Sequence, residues 1–111
     1  MAVQVDSVEW LEPWQAVTEA QGRRLEEELR LELAAEHVIF GRPARALGTR
    51  CDCDDVLFEI NDPPEHAVVH LAYAAHPDRP PWPTTELFRN LNDFVERRMK
   101  PDHSDYVDEA D

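Results

Sequence analysis

Glycine is scarce here, with three residues in 111. Phosphate-cradling loops and dinucleotide-binding turns need several glycines within one turn, because the backbone there must pass close to the ligand and adopt positive φ. Both architectures are excluded. Cysteine is limited to Cys51 and Cys53. A pair separated by one residue closes a strained ring, so two reduced thiols are expected. A zinc site would need about two further ligands. His66 or His70 could supply them only if the fold drew them in, and no metal or other cofactor is expected. No apolar run approaches the roughly 20 residues of a membrane span. The opening "MAVQVDSVEW" has neither a basic n-region nor an apolar h-region, so no signal peptide is expected and the cytoplasm is the expected compartment. Positive charge is also short: 11 Lys and Arg against 24 Asp and Glu, a formal net charge of -13. Such a chain is repelled by nucleic-acid phosphates and anionic membranes, and is attracted to basic surfaces.

What is present reads as one α+β domain over residues 1–101, followed by an acidic tail, 102–111, expected to be disordered. The alternation in residues 1–12 fits a short strand or an extended arm. Pro13 suits a first helical turn, and Trp14, Val17, Leu25, Leu29 and Leu33 recur at helical spacing, predicting a long N-terminal helix that reaches Glu36. Gly22 weakens its early part. Thr18 and Gln21 have the spacing of a capping box, which places the firm start near Thr18. Gly41 and Pro43 break the register.

Strands are expected at 44–50, at "VLFEI" (56–60), at "AVVHLAYA" (67–74), and as a short edge at "TELF" (85–88). The turn "NDPPEH" makes the second and third an antiparallel hairpin. Asn90 has the character of an N-cap, with Asp93 three residues on, for a short C-terminal helix that Pro101 should end. The expected fold is therefore an antiparallel meander of three or four strands, packed on one face by both helices.

Three clusters are candidate sites. Glu26, Glu27 and Glu28 form an acidic stripe, and "CDCDD" brings Asp52, Asp54 and Asp55 together beside the thiols. Asp52 and Asp54 alternate as calcium ligands do, but the loop glycine and the distant glutamate of such a site are missing. Trp82 stands between Pro81 and Pro83 as a rigid amphipathic plate that would either cover the sheet edge or anchor an interface. On the third strand His66, Val68 and His70 share one side, and Ala67, Val69 and Leu71 the more apolar other. His70 could serve a thiol nucleophile as a base, or be an ordinary partly buried histidine.

From "GRPARAL" through "CDDVLFEI", "AVVHLAY", "PPWPTTELF" and "LNDFVERRM", over roughly residues 38–99, the chain resembles a group of small uncharacterised bacterial proteins. In these, D-D-V-L-F, A-V-V-H-L-T-W and W-P-x-T-x-x-F follow in the same order. Ala72-Tyr73 departs from that pattern, where Thr-Trp stands in the group. The resemblance implies a bacterial or phage origin and the strand order, and carries no catalytic residue with it.

The charge, the acidic clusters and the absence of a catalytic constellation lead to a non-enzymatic acidic binding protein. Glu26, Glu27, Glu28, Asp52, Asp54, Asp55 and Trp82 are its expected contact residues. It would be an inhibitor, immunity or anti-CRISPR-like accessory that masks a basic surface on a protein, such as one that handles nucleic acid. The alternatives are a small hydrolase or transferase using Cys51 or Cys53 with His70, and a homodimer joined through sheet edges.

Overall fold

Five antiparallel strands form one sheet in the order β1 (Trp14–Ala16), β2 (Ala44–Arg50), β3 (Asp55–Ile60), β4 (Glu65–His70), β5 (Thr85–Phe88), so spatial order follows chain order. The computed structural model describes residues 9–73 and 83–110. The expected arm before residue 9, and Trp82, lie outside the described residues.

Both sides of the sheet are covered. Helix α1 (Glu19–Glu32) packs Leu25 and Leu29, with Leu33 just beyond, on Val56, Phe58, Ile60, Ala67 and Val69. The intervening strand positions Leu57 and Val68 point the other way. They meet Trp14, Phe88, Leu91, Phe94 and Met99 beneath the C-terminal helix. Alternation along β3 and β4 thus feeds two cores, which is why "VLF" and "AVV" read as continuous apolar runs. Each fully buried side chain of this size contributes roughly 1.5–3 kcal/mol. Edge-to-face contacts from Phe94 to Trp14 and Phe88, at centroid distances of 5.0 and 5.7 Å, order the second core.

Four expectations need correction. The sheet has five strands rather than three or four, because Trp14–Ala16 pairs with Arg50–Gly48 as an edge strand instead of opening α1. Burial of the Trp14 ring in the second core fixes that choice. The capping box of Thr18 and Gln21 is present, and the helix starts directly after it. It ends at Glu32, short of Glu36, where Leu33 turns extended and Ile39 of the following loop fills the first core.

The helices also lie on opposite faces, since Val68, on the His66–His70 side of β4, is buried in the second core beneath the C-terminal helix.

The C-terminal helix, finally, is the longer of the two. It starts as α2 (Leu91–Phe94), capped by Asn90, widens into a π-helical turn (Val95–Met99) and continues as α3 (Lys100–Ala110). Pro101 does not end it. Proline inside an α-helix leaves a hydrogen bond unmade and clashes with the carbonyl four residues back. Here Lys100 N–H bonds to Val95 O, five residues back, and this wider turn lets the chain pass the proline. Residues 102–110, expected as a loose tail, are helical for that reason. Among the described residues no helix is long and apolar enough to cross a membrane.

Candidate functional site

The β3–β4 register sets His70 directly opposite Asp55. Both side chains lie on the side covered by the C-terminal helix, at the end of the sheet where the Cys51–Asp54 loop joins β2 to β3. His70 Nδ1 is 2.8 Å from Asp55 Oδ1. The other oxygen of Asp55 accepts from Arg98 Nη2, delivered by the π-helical turn. Arg98 also donates to Glu86 Oε1 at 3.2 Å and, through Nε, to Asp102 Oδ2 at 2.9 Å. The same Asp102 oxygen accepts from Trp14 Nε1 at 2.8 Å and lies 3.2 Å from Arg50 Nη1. Arg50 in turn holds Asp52 through two bonds of 2.8 Å. Two guanidiniums and four carboxylates from β2, β3, β5, the C-terminal helix and the β2–β3 loop therefore form one network over the second core.

The network sets the protonation of its members. Burial alone would raise the Asp55 carboxyl, but hydrogen bonds and charge from His70 and Arg98 outweigh it and hold Asp55 below the usual carboxylate range. Asp52 is also lowered, chiefly by the Arg50 bonds. Burial opposes the charge on Arg98, yet its carboxylate partners raise it further.

The thiols stand apart from it. Neither makes a hydrogen bond to His70 among the described residues. Cys51 is exposed, with Sγ 4.0 Å from Tyr106 Oη of α3. Partial desolvation, with the nearby Asp55 carboxylate adding to it, pushes the Cys53 thiol above its ordinary value. A nucleophilic cysteine needs the opposite shift. Asp55 fixes the imidazole of His70, whose Nε2 has no partner among the described residues, and no described group stands by it as a nucleophile. Among the described residues no group of three or more His, Cys, Asp and Glu side chains could hold a metal ion.

The acidic stripe on α1 serves different ends. Glu26 accepts from Ala46 N–H at 2.9 Å, beside the β-bulge between Ala46 and Gly48. Glu28 is hydrogen-bonded to the buried Glu32, whose carboxyl accepts from Ala72 and Tyr73 N–H at 2.9 and 2.7 Å. Those two bonds hold Tyr73 at φ 57°, with its ring exposed. Burial first, and then Glu28, raise the Glu32 carboxyl despite the two donors. Of the three, only Glu27 is fully exposed.

The acids at the β2–β3 end differ. Asp54 is exposed and forms no ion pair among the described residues, and the same holds for Asp105 and Asp108 of α3. The Cys51–Tyr106 contact brings that helix against the loop. Arg50 and Arg98, the described cations that meet this end, are engaged in the network. Sequence reasoning missed Arg98, Arg50, Glu86 and Asp102. The four-residue spacing from Arg98 to Asp102 was a usable signal, once the helix is continued past Pro101.

No protein-family model, curated protein or solved structure matches this chain.

Proposed function

We propose that this is a non-enzymatic binding protein that sets its acidic β2–β3 end on a basic surface of a protein partner. The observation that carries the reading is the division of charge at that end. Arg50 and Arg98 are occupied by Asp52, Asp55, Glu86 and Asp102, while Asp54, Asp105 and Asp108 are exposed and have no cation among the described residues. The Tyr73 side chain, 52% exposed at the same end, where partial burial and then the Asp54 carboxylate raise its phenol, adds an aromatic anchor of the kind that dominates interfaces. A protein whose own ligand is a phosphate backbone presents the matching surface, which this chain would cover. The raised Cys53 thiol and the His70 imidazole turned to Asp55 favour this reading over thiol catalysis.

The test compares capture by the wild-type chain with capture by an Asp54→Asn/Asp105→Asn/Asp108→Asn variant, with crosslinking at low salt. A partner held by the wild type, lost by the variant and released by high salt supports the reading. The same proteins bound to both, or none to either, sinks it.

A further inference from the structure

We propose that a second copy of this chain joins at the outer edge of β5, forming an antiparallel β5–β5 pair centred on Leu87 and extending the sheet across a two-fold axis. His70 N–H donates to Thr84 O at 2.9 Å, and the register continues Val68 opposite Glu86 and His66 opposite Phe88. The even positions of β5 therefore turn their backbone groups toward β4. Thr85 and Leu87 turn theirs outward, where no described strand pairs with them. Next along the chain, Arg89 N–H is taken by Asp93 Oδ2 at 3.0 Å, which closes the ladder there.

Edges that stay single are commonly guarded by a lysine, a proline or a bulge. At the centre of this one stands Leu87, 36% exposed, in a strand without a bulge. Val38 and Phe40, 61% and 48% exposed, follow His37, which is bonded to Pro83 O and lies 3.2 Å from Thr85 Oγ1.

Charge selects a second copy as the occupant. With Leu87 opposite its symmetry mate, Glu86 falls opposite Phe88 of the other copy. Phe88 carries Arg97, with Cζ 4.9 Å from the ring centroid. Within one chain Glu86 already meets Arg98 at 3.2 Å and Arg97 at 3.9 Å, and Arg97 also holds Asp93 at 3.0 Å; the two-fold axis sets this mixed-sign cluster beside its own copy, with Glu86 of each near Arg97 of the other. A shallow groove of about 420 Å³ beside the strand, lined by Glu65, Leu87, Phe88, Arg89, Asp93 and Arg97, mixes both signs. Here two chains of net charge -13 can approach without opposing like patches.

Sedimentation velocity on the full chain, from micromolar to millimolar, should show a reversible dimer. Leu87→Pro removes an outward N–H and leaves the ladder to β4 whole. Leu87→Lys keeps the N–H and adds a charge. Both should be monomeric, with thermal melts close to wild type. Arg97→Ala should weaken the dimer by roughly 3- to 10-fold. Hydrogen exchange of the wild-type Leu87 amide should slow as concentration rises, a readout that stands even where a variant misfolds. A monomer at every concentration overturns the proposal. So does a dimer that both Leu87 variants leave intact, or one that leaves Leu87 exchange unchanged.

Discussion

Asp55 and Arg98 are bonded directly beside the second core, one oxygen of the carboxylate on the guanidinium and the other on His70 Nδ1. Their side chains are 14% and 19% exposed, so the pair is neither a surface bridge nor fully dry. Removing one member of a buried pair leaves the other charge unmatched, which is costlier than the pair is worth. Arg98→Met should therefore lower stability by about 3 kcal/mol, the low end for a buried pair. Urea unfolding at neutral pH measures this. Adding Asp55→Asn should cost less than the sum of the single changes, by roughly 0.5–3 kcal/mol, because the second change removes a charge the first had stranded. Strict additivity would show the two groups to be uncoupled.

The contribution of Glu32 to stability should grow on mild acidification, while that of Asp55 should be lost at lower pH, because the two carboxyls are shifted in opposite directions. Glu32 is raised in the fold, so its contribution is complete below its unfolded value of about 4.3 and is lost as pH rises through the higher folded value. Asp55 is lowered, so its contribution is present above about 3.9 and is lost as pH falls through the lower folded value. His66, lowered chiefly by burial, opposes Glu32: its contribution is present above about 6.5 and is lost on acidification. Glu28→Gln should shrink the stability gain between neutral and mildly acid pH. Glu27→Gln makes the same change in net charge at an exposed position and should leave it in place. Equal behaviour of the two variants in denaturant titrations would assign the gain to overall charge.

Gly48 is needed for a close approach. A β-carbon there would lie 2.4 and 2.5 Å from ring atoms of Trp10, well inside contact distance. Gly48→Ala should displace the indole and cost about 1–3 kcal/mol, as overpacking does. Its cost should fall sharply on a Trp10→Leu background. Thermal melts of the four proteins complete the cycle, and an unchanged cost in the double variant would place the strain elsewhere.

Cys53 should be a sluggish nucleophile. On a Cys51→Ser background, its alkylation by iodoacetamide should titrate above the ordinary thiol value of about 8.5. A midpoint near neutrality would revive thiol catalysis as a reading.

The sheet could be read from the sequence wherever one residue type decided the matter. β-Branched runs set β3 and β4, Thr18 with Gln21 set the start of α1, and Asn90 set the start of α2, its side chain accepting from Asp93 N–H at 2.8 Å. Reading failed where tertiary contacts overrode local preference. Trp14 at helical spacing became a strand residue, because its ring is buried against Phe94 and its N–H bonds to Asp102, 88 positions away. Pro101 read as a stop because the five-residue turn before it leaves no periodic mark. Asp55 looked like one acid of a charged loop, since only the β3–β4 register reveals His70 across from it. The three glutamates of α1 form a stripe in sequence, yet Glu26 and Glu28 are turned to internal partners.

The hydrogen bond from Trp14 to Asp102 also constrains the order of events during synthesis. Strands β2 to β4 can pair as they leave the ribosome, each finding the one just made. Strand β1 emerges first, but its tryptophan has no acceptor until residue 102 has been added and has cleared the exit tunnel. Strand β1 can therefore pair with β2 early, but its tryptophan completes its contacts only after residue 102 is available.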